Sequence, residues 1–167
     1  KQRFNIRRVI IVADRGCVSD NLMEELEKKT PGKPQIDYIL GMRLRKNREV
    51  SQIVLRRAGR YHEVEDNLDT KEVRVGERRY VICHNPESEI RDRLRRAEII
   101  EHTRQELQEK GPKAFVMPRG IRRFVELNGG ELKLKEKVIR EESRYDGKWV
   151  LRTNTALPAD EVALAYK

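Results

Sequence analysis

The residue of this sequence best suited to do chemistry is Asp14, a carboxylate that directly follows a run of apolar residues. The stretch reads RVIIVADRG, so five apolar residues precede Asp14, and Gly16 can turn the backbone behind it. Such a run predicts a strand covered on both faces, as in the centre of an α/β sheet. Open α/β sheets bind ligands beyond the carboxyl ends of their strands, where Asp14 is expected. The alternative is that Asp14 only caps the following loop or helix.

A second candidate site is the basic segment between residues 43 and 60. It has a single acidic residue, Glu49. The segment leaves the second predicted strand at its carboxyl end, so its charge is expected on the same side of the sheet as Asp14. We predict that its basic residues contact phosphate groups, the alternative being a solvated basic face. The seven basic residues are Arg43, Arg45, Lys46, Arg48, Arg56, Arg57 and Arg60.

A strand–helix–strand unit is predicted to position these residues. Ser19 can cap a helix over Asp20–Lys29, and a second apolar strand is predicted over Gln35–Met42. This order predicts two parallel strands. No glycine-rich phosphate-binding loop follows either strand, which disfavours a nucleotide-binding version of this α/β core.

The middle of the chain is predicted to contain a short helix, a hairpin and a long charged helix. Asn47 can cap a short helix with Val50, Ile53 and Val54 facing inward, and short β segments around a Gly76–Glu77 turn predict a hairpin. A long charged helix is predicted from about Asn85 to about Lys110, closed by Gly111 and Pro112. Its apolar residues share one broad face. They are Ile90, Leu94, Ala97, Ile100 and Leu107.

The last part of the chain has one clear pattern. The run YDGKWVLRTN predicts a hairpin turn at Asp146–Gly147 and then a strand that contains Trp149. Pro158 suits the first turn of a helix that continues to Lys167.

Composition limits the kind of protein. A length of 167 residues suits one domain with room for an insertion, and a net charge of +9 favours a polyanionic partner, nucleic acid first. No apolar run approaches the roughly 20 residues of a membrane span, and the first residues lack the apolar region of a signal peptide. We therefore expect a soluble intracellular protein without a membrane partner. Cys17 and Cys83 form no CxxC pair, so neither a zinc site nor a disulfide framework is indicated.

The sequence resembles the insertion-sequence transposases of the DDE class, in the group with a β-rich insertion inside an RNase H-like catalytic core. The resemblance spans nearly the whole chain and rests on VIIVADRG, YILGMRLRK, YVICHNPESEIRDR and, above all, YDGKWVLRTNTALPADEVALAYK. It implies an α/β fold, mixed α+β overall. Residues 1–42 would be an RNase H-like core segment, 43–155 a β-rich insertion region with a long helix, and 156–167 the start of a core helix.

The resemblance also implies the site residues. Asp14 would be the second catalytic aspartate and a metal ligand, in a D-x-G pattern completed by Gly16, and Tyr166 would open the signature of the helix that carries the catalytic glutamate. The first aspartate would precede Lys1 and the glutamate would follow Lys167, so we expect a fragment with one catalytic carboxylate of three, inactive alone. The complete site would hold two Mg²⁺ or Mn²⁺ ions, which stabilise the attacking and leaving oxygens.

The implied partners are DNA, both element ends and target, and a second copy of the full-length protein in a homodimer. The implied location is the prokaryotic cytoplasm, in association with the nucleoid. Two other interpretations remain open: another RNase H-like nuclease, and a non-catalytic basic nucleic-acid-binding fragment of a decayed element. A response-regulator receiver is disfavoured, because the segment before Asp14 has no acidic residue.

Overall fold

A computed structural model describes residues 9–28, 36–117 and 119–167 of the chain. Helices and strands are mixed along these ranges, which confirms the α+β class predicted from the sequence. In chain order the elements are β1 (Ile10–Ala13), α1 (Asp20–Glu27), β2 (Asp37–Gly41), α2 (Arg48–Gln52), β3 (His62–Glu65), β4 (Leu68–Val75), β5 (Arg78–His84), α3 (Pro86–Ala114), β6 (Val125–Asn128), β7 (Glu131–Leu134), α4 (Glu136–Ser143), β8 (Lys148–Thr153) and α5 (Ala159–Tyr166).

The chain divides into two compact units. The first contains residues up to Asn85 together with Lys148–Lys167, and the second is Pro86–Gly147. The predicted division into a core and an insertion, after residues 42 and 155, stays a prediction. β3, β4, β5 and β8 lie in the same sheet as β1 and β2.

The first unit is built on a six-stranded sheet in the order β1-β2-β8-β5-β4-β3. β1 and β2 are parallel, as predicted, with Ala13 opposite Leu40. Every other neighbouring pair is antiparallel. β8 therefore lies between β2 and β5, although more than a hundred residues separate it from β2. The carboxyl ends of β1 and β2 share one edge of the sheet.

β1 differs from the prediction in its place in the sheet. Among the described strands it pairs with β2 alone, so it lies at the end of the strand order and not at the centre. Apolar residues of β1 nevertheless pack on both faces of the sheet. Ile11 and Ala13 pack beneath α1, and Ile10 packs with residues of α5. Val12 remains 46% exposed.

Two helices cover the two faces of the sheet. The Ser19 hydroxyl accepts a hydrogen bond from the Leu22 amide at 3.2 Å and caps α1, as predicted. The apolar side of α1 packs on Tyr38 and Leu40. On the other face, α5 buries Val162 and Ala163 completely against residues of the sheet; these are Ile39, Leu68, Val81, Cys83 and Leu151. Burial of this apolar area is the main stabilising term, at about 25 cal/mol per Å² removed from water.

The short helix α2 also begins as predicted. The Asn47 side-chain oxygen accepts a hydrogen bond from the Val50 amide at 3.0 Å, and Val50 and Val54 are fully buried. The prediction that Ile53 faces inward is wrong, since Ile53 is exposed. α2 ends at Gln52 and continues as a 3₁₀ turn over Val54–Arg56, so the 3.6-residue spacing that underlay the prediction does not hold there.

In the second unit, α3 extends from Pro86 to Ala114 and is broken at Gly111, where φ is 71°. Only part of its predicted apolar face is buried. Ile100 packs with Ile121, Phe124 and Val125, and Leu107 is also buried. The remaining predicted face residues are exposed, because the small core of this unit covers the second half of the helix; they are Ile90, Leu94 and Ala97.

The remainder of the second unit consists of a β6–β7 hairpin and α4. Gly129 and Gly130 form the hairpin turn with φ values of 59° and 87°. The predicted hairpin turn at Asp146–Gly147 is wrong: these residues form a turn that connects α4 to β8. The turn is fixed from within its unit, because Arg96 donates two hydrogen bonds to the Asp146 carboxylate at 2.7 and 2.6 Å. In the described ranges, none of the helices combines the length and the apolar character that crossing a membrane requires.

Candidate functional site

Asp14 lies at the shared edge of β1 and β2, beside Gly41. Its carbonyl oxygen accepts a hydrogen bond from the Cys17 amide at 2.8 Å, which closes a turn over residues 14–17. The Asp14 side chain is exposed. An exposed carboxylate at the carboxyl end of a strand is the position predicted for it from the sequence.

Tyr166 contacts Asp14 from the last turn of α5. Its hydroxyl donates a hydrogen bond to Asp14 Oδ1 at 2.6 Å. The Tyr166 ring is partly buried and packs against the cluster that joins α5 to the sheet. Two residues that the sequence singled out, 152 positions apart, therefore lie in direct contact.

Gly41 makes this contact possible. A Cβ atom on residue 41 would lie 2.2 Å from the Tyr166 hydroxyl oxygen and 2.9 Å from the backbone nitrogen of Arg15. The hydroxyl belongs to a packed ring and the nitrogen to the backbone, so no larger residue fits without moving the hydroxyl or the turn. The sequence carried a signal for this, since an isolated glycine in an apolar strand marks a close approach.

The hydrogen bond affects the protonation of both partners. The hydroxyl of Tyr166, followed by the Arg15 backbone amide, holds the pKa of Asp14 below its usual value. Burial, followed by the bond to Asp14, raises the pKa of Tyr166 to about 12. At neutral pH the pair is therefore a neutral phenol that donates to an ionised carboxylate.

Arg43 holds the turn from the backbone side. Its Nε donates to the carbonyl oxygen of Arg15 at 3.1 Å and its Nη2 to that of Gly16 at 3.4 Å. The guanidinium predicted to contact phosphate is thus directed at the Asp14 turn. Gly16 itself has room for a side chain, because a Cβ there would meet only Asp14 Oδ2 at 4.0 Å. The sharp turn expected from Gly16 therefore sets no steric requirement for glycine.

The other six basic residues of the segment are exposed. Lys46 lines, together with Arg43 and Gly41, a groove of about 350 Å³ that also includes Ser19 and Asp20. This places one of the six beside the Asp14 edge. The other five do not line this groove; they are Arg45, Arg48, Arg56, Arg57 and Arg60.

In the parts of the chain that the structure describes, no three side chains of His, Cys, Asp or Glu come together closely enough to hold a metal ion. Asp14 can supply one hard oxygen ligand of the kind that Mg²⁺ prefers. The expected pair of ions would need further ligands from outside this set.

Comparisons with protein-family models, curated proteins and solved structures found no match to this chain.

Proposed function

We propose that this chain contributes Asp14 to the active site of a DDE-class DNA transposase, which cleaves DNA and transfers the cut strands. The contact between Asp14 and Tyr166 is the observation that carries the proposal. In the transposases that the sequence resembles, the D-x-G strand and the signature helix belong to one site. Here both residues lie at one edge of the sheet although they come from opposite ends of the chain.

The surrounding fold supports an RNase H-like core. β1 and β2 are parallel, Asp14 follows the first of them, and α1 and α5 cover opposite faces. In this proposal the antiparallel strands β3, β4, β5 and β8 belong to the β-rich insertion and extend the core sheet from β2.

Each group has a role in this proposal. Ionised Asp14 would be one ligand of a divalent ion, with the other carboxylates supplied by a longer protein. Two such ions, Mg²⁺ or Mn²⁺, supply charge stabilisation at the attacking and leaving oxygens of the phosphodiester. The exposed basic residues would hold the DNA backbone without selecting a sequence. We also propose that the full-length protein forms a homodimer and acts in the prokaryotic nucleoid.

Replacement of Asp14 by Asn, in a protein that carries the complete catalytic set of this proposal, tests this function. Asp14→Asn keeps the size of the side chain but removes its charge, so we expect DNA end cleavage to fall by about 100-fold or more, the scale of losing one electrostatic stabiliser. Affinity for the same DNA should stay equal or increase slightly, because a negative charge leaves a basic surface.

Asp20→Asn is the matched control, since it removes the same charge from another exposed aspartate, one that lines the groove beside the Asp14 edge. It should leave cleavage near the parent rate. Cleavage at the parent rate by a folded Asp14→Asn variant would reject Asp14 as a metal ligand, whereas DNA binding without cleavage by the parent protein would favour the non-catalytic nucleic-acid-binding protein. A melting curve establishes that each variant is folded.

A further inference from the structure

Tyr166, Gly41 and Asp14 form a contact that combines one partly buried ring, one position without a side chain and one exposed carboxylate. We propose that Tyr166 is a positioning residue that fixes the rotamer of the Asp14 carboxylate, and that Gly41 is the residue that admits its hydroxyl. The orientation of Asp14 follows from geometry alone, while its consequence for a metal ion rests on the function proposed above.

Tyr166 and Asp14 differ in how firmly each is held, and this decides which residue orients the other. The Tyr166 ring packs in the cluster of α5 and the sheet, and the next residue, Lys167, forms an ion pair with Glu65 of β3. Asp14 is exposed and follows the end of its strand, and in the described part of the chain the donors to its carboxylate besides the Tyr166 hydroxyl are only backbone amides of its own turn, at Arg15 and Gly16. A side chain without tertiary packing samples several staggered rotamers, and a fixed donor selects one of them. Tyr166 therefore positions Asp14, and not the reverse.

Gly41 leaves the space in which the Tyr166 hydroxyl reaches the Asp14 carboxylate. The distances of 2.2 Å and 2.9 Å from a Cβ at residue 41 to the Tyr166 hydroxyl and the Arg15 nitrogen leave no space for alanine. Any side chain there would displace the hydroxyl from Asp14 Oδ1.

A fixed rotamer matters for metal binding. With Oδ1 bonded to the hydroxyl, the carboxylate presents one orientation to an incoming ion. Loss of an outer hydrogen-bond partner of a ligand typically weakens metal affinity by about 10–100-fold. Tyr166 would thus set the affinity of the site without touching the ion.

The first experiment measures the Asp14 rotamer in the 167-residue chain. Three-bond NMR couplings across χ1 of Asp14 should indicate one rotamer in the parent and a mixture in Tyr166→Phe, which keeps the packed ring and loses only the hydroxyl. The matched control is Tyr38→Phe. Tyr38 donates to the Glu27 carboxylate at 2.9 Å, and it lies on the α1 face of the sheet. This control should leave the Asp14 couplings unchanged. A single Asp14 rotamer in Tyr166→Phe would overturn the proposal.

The second experiment uses a protein that carries the complete proposed catalytic set and follows DNA end cleavage against Mg²⁺ concentration. Tyr166→Phe should raise the Mg²⁺ concentration for half-maximal cleavage about tenfold, with a much smaller change in the rate at saturating Mg²⁺. An unchanged Mg²⁺ dependence would overturn the metal consequence. If even the parent protein cleaves no DNA, the proposed function fails, and the rotamer measurement alone decides the positioning role.

Discussion

Arg43 binds the backbone of the turn that follows Asp14. Two of its nitrogens donate to carbonyl oxygens of the Asp14 turn, whereas the Lys46 side chain is exposed beside the same groove. Equal charge at nearby positions can therefore serve two purposes. One residue holds the backbone that carries Asp14, and the other is available to a polyanion.

This difference predicts opposite results for two substitutions. Lys46→Gln should lower the slope of log affinity against log salt by about 0.9, the effect of one lost phosphate contact. Arg43→Gln should leave that slope unchanged, because its guanidinium is directed at the turn. The measurement is DNA binding by the 167-residue chain across a series of salt concentrations. A similar loss of slope in both variants would show that Arg43 contacts phosphate as well.

The sequence predicted some of these residues and not others, for a physical reason. Asp14 could be singled out because a carboxylate directly after an apolar run is itself a pattern. Gly41 could have been found from its place in an apolar strand. The role of Arg43 could not be predicted from the sequence, because its hydrogen-bond acceptors are backbone carbonyl oxygens, which every residue possesses.

Among the elements, the β4–β5 hairpin holds the segment that leads into α5. Arg79 of β5 is nearly buried, and its Nη1 donates to the carbonyl oxygens of Thr155 and Leu157, both at 2.8 Å. Its other nitrogens donate to the Glu72 carboxylate at 2.9 and 2.7 Å. This arginine therefore links two strands to the segment that places α5, and with it Tyr166.

Two arginines that share Glu72 provide a matched test of this link. Arg79→Met should lower the free energy of unfolding by about 3 kcal/mol, because it leaves buried acceptors and a carboxylate without their partner. Arg74 donates to the same Glu72 at 3.0 Å but is 65% exposed, so Arg74→Met should change stability by at most about 0.5 kcal/mol. Chemical denaturation measures both. Equal losses would mean that the buried carbonyl contacts contribute nothing.

Element boundaries were predictable where the signal is local. Ser19 and Asn47 cap their helices by side chains three residues from their partners, so the caps can be identified from a few letters. The position of β8 could not be identified in this way. Its pairing with β2 and β5 depends on which distant strands match in register, and an alternating pattern is compatible with many neighbours.

At the scale of the whole molecule, the reactivities of the two cysteines distinguish the folded from the unfolded first unit. Cys83 is fully buried beneath α5, and burial raises the pKa of its thiol to about 12. Cys17 is exposed in the turn after Asp14. Because the thiolate is the reactive form, a buried thiol with a raised pKa reacts only after the protein opens.

Alkylation should therefore modify one thiol per folded chain at pH 8. The fast site should be Cys17, and Cys17→Ser should abolish the fast phase. Cys83 should react only as denaturant unfolds the sheet, which mass spectrometry can follow. Labelling of Cys83 as fast as that of Cys17, in a chain with native circular dichroism, would contradict the burial beneath α5.

The distance along the chain between Asp14 and Tyr166 also sets an order of events during protein synthesis. Ribosomes add about 5–20 residues per second, and a contact across 152 positions cannot form until both ends have been made. β2 likewise lacks its neighbour β8 until residues 148–153 exist. A nascent chain thus exposes Asp14 for several seconds without the hydroxyl that orients it. The candidate site is the last part of the first unit to be completed.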